Sequence, residues 1–449
     1  MPLRKITLAA ASFGLTLAAS HASLVLAAEP DADAKTQQLE QQIDSLAQQL
    51  QALKAELGQL KAQNQVLATQ QAEIATKASA PSPLDNVSLW GYGEVYYTHP
   101  IHDDKKTQAD LARAVFGIGY RFDENTVFNS EYEVEHAVAS SEDVGEFEVE
   151  QFYVDHTFNK SVAIKAGLFL IPSGLLNLNH EPTNFYGVQR NYVESLIIPA
   201  TWREGGVGVH GDTDVGIDWD AGVTTGVNLA GRDSNPETPQ YTTALDLSNS
   251  GAGPLAATHQ ELSLANAQYL SQYLALGYKG IPGLNLGASI FTGNAAPQDP
   301  TVNLGRQRVM LWEAHSRWTP GKFDLSALYA RGSISNTGAY NALTPGVSNP
   351  TPASFNGWYM QGAYTAWQNN TYRVAPFARW EYYNMGASYE GIAPGFTPVP
   401  AGFPANADHV FTTGVNFYIT PHVVLKADWQ NFHTNKDLSR YDLGLGLAF

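Results

Sequence analysis

The sequence contains no cysteine, and that absence removes disulfide staples, thiol nucleophiles and thiolate metal ligands together. It is also short of positive charge: 26 Lys and Arg stand against 43 Asp and Glu, a formal net charge of -17 at pH 7. Such a chain offers no global field for nucleic acid or an anionic lipid surface, so no nucleic-acid partner is expected. Methionine is scarce, with four in 449 residues, and the mean hydropathy is -0.22. After residue 30 no window approaches the roughly eighteen consecutive apolar residues that a spanning helix needs. What the chain has instead is glycine, 39 residues, and aromatics, 11% of the sequence with 22 Tyr. Weak hydrophobicity with abundant glycine and aromatics fits a β-sheet closed across a membrane, in which each strand is apolar on one face only.

Residues 1–27 read as a secretory signal peptide, with Arg4 and Lys5 as the charged start and Ile6 to Ala19 as the apolar run. Ser20-His21-Ala22 or Val25-Leu26-Ala27 offers the small-residue cleavage site, and loss of this segment makes the chain more acidic still. Residues 33–77 then carry heptads. Leu39, Leu46, Leu53, Leu60, Leu67 and Ile74 occupy one seam position, and Ile43, Leu50, Leu57, Asn64 and Gln71 the other. A lone helix has nothing to bury such a stripe against, so a homo-oligomeric α-helical coiled coil is expected in the periplasm, projecting about 55 Å. Asn64 and Gln71 put polar groups in the seam and fix register; a trimer suits the barrel reading. Residues 78–86 form a Pro/Ser linker, since Pro81 and Pro83 cannot continue the helix.

From Val87 to Phe449 the sequence reads as sixteen strands of an all-β, 16-stranded antiparallel transmembrane β-barrel (residues 87–449). Tight connections such as Asp123-Glu124-Asn125, Asn159-Lys160-Ser161 and Thr319-Pro320-Gly321 alternate with long ones such as 228–267, 334–355 and 386–408. That asymmetry is the one between short periplasmic turns and long extracellular loops. In the last strand Tyr441, Leu443, Leu445, Leu447 and Phe449 alternate with Asp442, Gly444, Gly446 and Ala448. The first set is expected to face outer-membrane lipid and lipopolysaccharide, and inward Gly444 should tolerate serine. A strand ending on Phe449 resembles the terminal signal read by the barrel assembly machinery. Trp90, Trp358 and Trp380 are expected in the interfacial aromatic girdles.

One connection is unlike the others. VAIKAGLFLI (162–171) alternates as a strand, but residues 172–202 lose the period and carry Leu175, Leu176, Leu178, Phe185, Tyr186, Leu196, Ile197 and Ile198. That is too much apolar surface for an unpacked loop, and the inside of a barrel is the available wall. GLFLIPSGLLN followed by VESLIIPATWREGGVGVHG is similar to the corresponding region of the phosphate-selective porin O and P family and related bacterial outer-membrane porins. The likeness is strongest over Lys165 to Gly211. It implies a constriction loop folded into the lumen after the fifth strand, and lumen Arg and Lys residues that pass anions such as phosphate. No dense basic ladder is visible in this sequence.

Inward phases place Arg113, Arg121, Glu131, Glu133, Glu135, Lys165, Asp218, Asp220, Arg373, Arg379, Glu381, Lys426 and Asp428 in the lumen. His180, Glu181, Arg190, Glu194 and Arg203 are the loop charges best placed to narrow it, unless an Arg there is clasped to a carboxylate. Acids on the third strand opposite guanidinium groups on the thirteenth would set up a transverse field. The twelve His show no metal-ligand spacing, GGVGVHG lies in a strand and so is no phosphate loop, and no nucleophile motif occurs, so neither enzyme, metal nor cofactor is expected. The expected function is a porin passing small hydrophilic solutes or ions. The alternatives are an envelope tether acting through the coiled coil and a substrate-specific channel, for instance for a sugar.

Overall fold

The computed structural model describes residues 32–78, 83–137, 145–229, 253–256, 258–295, 306–342, 350–394, 399 and 404–449. The expected signal peptide, residues 79–82 of the linker and parts of several long connections lie outside the described residues. The chain divides into two compact units, residues 1–81 and 82–449. In the first, α1 (Ala32–Ala78) runs for 47 residues. It is rich in Ala, Leu, Gln, Lys and Glu and free of proline, so propensity favours a helix throughout. From Leu39 to Leu67 the seam residues are open to solvent in the single chain, Leu46 at 63% and Leu53 at 65%.

The second unit is a closed antiparallel barrel of sixteen strands. They are β1 (Val87–Pro100), β2 (Gln108–Arg121), β3 (Thr126–Glu135), β4 (Phe147–Asn159), β5 (Val162–Leu170), β6 (Arg203–Asp212), β7 (Ile217–Thr224) and β8 (Ser271–Ile281). The second half comprises β9 (Leu284–Asn294), β10 (Arg308–Trp318), β11 (Phe323–Ile334), β12 (Ser354–Tyr364), β13 (Arg373–Ser388), β14 (Ala407–Thr420), β15 (Val423–Phe432) and β16 (Arg440–Ala448). The ladder of β12 breaks at Thr365 and Ala366 and resumes at Trp367–Gln368 against β13. Each strand pairs with its neighbours in the chain. β1 and β16 close the ring with Tyr92 opposite Ala448 and Pro100 opposite Arg440. Among the described residues no helix is long and apolar enough to cross a membrane.

The turns show why the chain reverses where it does. Asp123 Oδ1 accepts the amides of Asn125 and Thr126, each at 2.8 Å, and Asn369 Oδ1 accepts those of Thr371 and Tyr372. These side chains mimic the backbone bond of a turn. Gly283 and Gly321 supply the positive φ (78° and 65°) that the β8–β9 and β10–β11 turns demand.

Period-two burial sorts the faces. Leu443, Phe116, Leu276 and Met360 are exposed on the outside, while Phe169, Tyr273, Phe291, Tyr359, Tyr383 and Phe432 are buried inside. Trp358, Trp380 and Tyr382 gather outside around His409, with ring centroids 6.2, 5.8 and 4.6 Å from it, as a girdle would. Trp90 departs from expectation: its indole points inward and donates to Glu131 at 2.6 Å.

Candidate functional site

The β5–β6 connection, residues 171–202, is packed against the inward faces of the wall. At its base Asn177 works as a clasp, its amide donating to the carbonyls of Ile171 (2.7 Å) and Trp202 (2.9 Å) while its Oδ1 accepts the Trp202 amide at 2.7 Å. Glu194 organises the middle. Its Oε1 accepts the amides of Leu175 (2.6 Å) and Leu176 (2.8 Å), and its Oε2 accepts Asn191 Nδ2 (2.8 Å) and the Tyr359 hydroxyl (2.9 Å). Burial pushes this carboxyl above its ordinary range, and the donors around it oppose the shift. Val193–Ile197 forms a buried π-helical turn. Val193, Leu196, Ile197, Ile198 and Trp202 join wall residues in one apolar cluster, Trp202 lying 4.5 Å from Phe291 between ring centroids.

Polar side chains of the wall hold the rest of the loop. Glu381 of β13 accepts the Tyr192 amide at 2.6 Å, and Asp428 of β15 accepts that of Val188 at 2.6 Å. Arg379 reaches the Tyr186 carbonyl at 3.3 Å, and Arg113 of β2 reaches that of His180 at 2.7 Å. Arg440 donates to Gln189 and, at 2.8 Å, to the Tyr192 hydroxyl, which itself bonds Gln430. Ser173 meets Ser289 of β9 at 3.1 Å.

The expected lumen residues therefore fall into groups. Arg113, Arg379, Glu381 and Asp428 anchor the loop. Lys165 pairs with Asp220 at 2.5 Å, and Tyr273 also donates to Asp220 at 2.8 Å; Asp218 pairs with Lys279 at 3.1 Å. Arg203 is clasped between Glu148 (2.5 Å) and Glu261 (3.1 Å). Cations also sit over rings, most closely Lys426, 3.6 Å from the Phe185 centroid, and the Arg373 guanidinium, 3.8 Å from that of Tyr418. Glu131 and Glu133 are buried, Glu135 is half-buried, and Arg121 lies exposed at the end of β2. In the loop, Glu181 accepts Asn184 at 2.6 Å and Arg190 donates to Thr201 at 2.9 Å. Burial brings the Arg190 guanidinium down to about 10, still charged at neutral pH. His180 is brought by burial down to about 4, Glu150 opposing, so its ring is neutral there.

The transverse field expected between β3 and β13 is weakened locally, because Arg379 pairs with Glu381 two residues along its own strand at 2.8 Å. Arg113 likewise pairs with Glu94 of β1 at 2.8 Å. Sequence reasoning passed over Glu94, Glu150, Arg440, Asp442 and the Arg317–Asp324 pair, joined at 2.6 Å. All lie in strands whose phase was readable, so the inward set could have been completed by counting. Between loop and wall a recess is lined by Asn179, Asn184, Tyr186, Arg317, Ser326, Gln361 and Arg379 among others.

Three comparisons bear on this geometry. Residues 89–440 match the model of a family described as "Phosphate-selective porin O and P". An uncharacterised protein of Aquifex aeolicus (strain VF5) is 30% identical over 380 residues, covering 81% of this chain and 80% of that protein. Among solved structures, Salmonella typhi OmpF in complex with daunomycin superposes with a TM-score of 0.53 at 12% identity, covering 81% of this chain and 97% of that one; this likeness is one of fold.

Proposed function

The chain belongs to the phosphate-selective porin O and P family, and from that membership we propose a passive aqueous channel for small hydrophilic solutes and ions, limited by the constriction loop 172–202. The setting is the outer membrane, as for the family and for a closed sixteen-strand barrel with lipid-facing and lumen-facing residues in alternation. The observation that carries the proposal is the attachment of the β5–β6 loop to inward residues of β2, β9, β12, β13, β15 and β16. A loop held from so many strands lies across the path of any solute.

Charge decides how selective such a path is. Arg113, Arg203, Arg317, Arg379 and Arg440 each have a carboxylate partner within 3.1 Å. Paired guanidinium groups attract anions weakly, so phosphate capture is disfavoured and the acidic chain tilts permeation toward cations. Reversal potentials across a planar bilayer in potassium chloride and potassium phosphate gradients test this. Weak cation preference in both supports the proposal, and strong anion preference overturns it.

The solvent-exposed heptad stripe favours a homo-oligomer, taken as a trimer joined through a coiled coil. The chain enters β1 at the end of the barrel that carries the tight turns, and periplasmic turns are the short ones in such barrels, which supports the reading of the coiled coil as periplasmic. Lipid and lipopolysaccharide outside, and the assembly machinery at the closing strand, complete the proposed partners.

A further inference from the structure

Where the β5–β6 loop meets the β3–β4 wall, three carboxylates and an imidazole converge. Glu131 and Glu133 come from β3, Glu150 from β4 and His180 from the loop, with the Tyr92 phenol of β1 between them; all are buried. Ligand atoms of Glu131, Glu150 and His180 lie within 4.8 Å of one another, and His180 Nε2 is 4.0 Å from Glu150 Oε1.

Counting protons shows what the cluster is short of. His180 Nδ1 meets the Asn177 carbonyl at 2.9 Å, and since a carbonyl only accepts, that nitrogen carries the proton and Nε2 presents a lone pair. Tyr92 has one hydroxyl proton and two acceptors, Nε2 at 2.6 Å and Glu150 Oε2 at 2.8 Å. Among the described residues Glu150 Oε1 and Glu133 Oε1 have no donor at all. A proton on Nε2 would free Tyr92 for Glu150 and still leave both of those oxygens unmatched. Of the guanidinium groups beside the cluster, Arg113 is engaged by Glu94 and the His180 carbonyl, and Arg190 by Thr201. Buried carboxylates with no donor are costly unless a proton is shared between them or a cation sits among them.

We propose that His180 Nε2, Glu150 and Glu131 bind one divalent transition-metal ion of the zinc class, with Glu133 as a further oxygen donor, and that this ion ties the β5–β6 loop to the wall. One imidazole with carboxylates suits zinc, cobalt or manganese, whereas an all-oxygen shell would suit calcium or magnesium. An Nδ1–H donated to a backbone carbonyl is the support that a ligating histidine normally has. Nearness in sequence does not reveal the set, because the ligands come from two strands and a loop. The proposal goes beyond the channel assignment, and metal content is measured whatever the pore conducts.

The test uses full-length protein without a polyhistidine tag, folded in detergent, stripped with EDTA, exposed to Zn²⁺ alone and desalted. The wild-type chain should retain about one equivalent. His180→Ala and Glu150→Gln, checked for folding by heat-modifiable gel mobility, should each retain less than roughly a tenth of that. His433→Ala, outside the cluster, should match wild type. Should a variant fail to fold, Co²⁺ on the wild-type protein decides: intense visible bands displaced by stoichiometric Zn²⁺ support the site. Retention by folded variants equal to wild type, or a Co²⁺ spectrum of the hydrated ion alone, overturns it.

Discussion

Glu194 spends its charge inside its own loop, accepting two backbone amides, an asparagine and a tyrosine hydroxyl. Glu194→Ala should leave those donors unmatched and cost roughly 1.5 to 3 kcal/mol in loop docking, read as faster limited proteolysis of the loop. Its carboxyl is raised by burial, so between the ordinary glutamate range and the raised value the folded chain binds more protons than the unfolded one. Its contribution to stability is therefore full below that interval and declines as pH rises through it. Urea midpoints against pH should show the decline in the parent and lose it in Glu194→Gln. On the lipid face, Leu443→Arg should cost about 2 to 4 kcal/mol, whereas Ser326→Arg, lining the recess, should leave the urea midpoint nearly unchanged. Gly444 shows where phase alone misleads. It does face inward, but a Cβ there would come within 3.0 Å of Val188 of the loop, so Gly444→Ser presses on the loop where the sequence promised open space.

At the scale of elements, the strands were legible because lipid outside and a polar interior impose a period of two that no loop keeps. The turns were legible because Asp123, Asn369 and the glycines do their work locally. What the strands and loop do to each other was not. Glu381 and Asp428 could be assigned to the inward face, but their amide partners lie 189 and 240 residues away in sequence, and nothing in the period says which carboxylate meets a loop and which meets water. Trp90 is a different case: it shares the parity of Tyr92 and Glu94 in β1, so the period itself places its indole inward, where Glu131 two strands along accepts it. The helix is the opposite case: its stripe was plain, and the single chain leaves it uncovered. Residues 33–77 alone should sediment as a helical oligomer at high micromolar concentration, and Leu53→Asp with Leu57→Asp should return it to monomer; a monomeric parent would sink the coiled coil.

For the whole molecule, the barrel is a wall whose inward charges are largely consumed in pairing and in holding one loop. On the proposed function selectivity should then be weak, and the size of the path should depend on the loop more than on any single charge. Arg190→Glu should shift the reversal potential toward cations while leaving assembly intact. The most direct measurement is single-channel conductance, with a solute size cut-off, for a correctly assembled channel lacking residues 177–193. If the loop limits the path, conductance rises and larger solutes pass; conductance and cut-off identical to the parent would contradict the central claim.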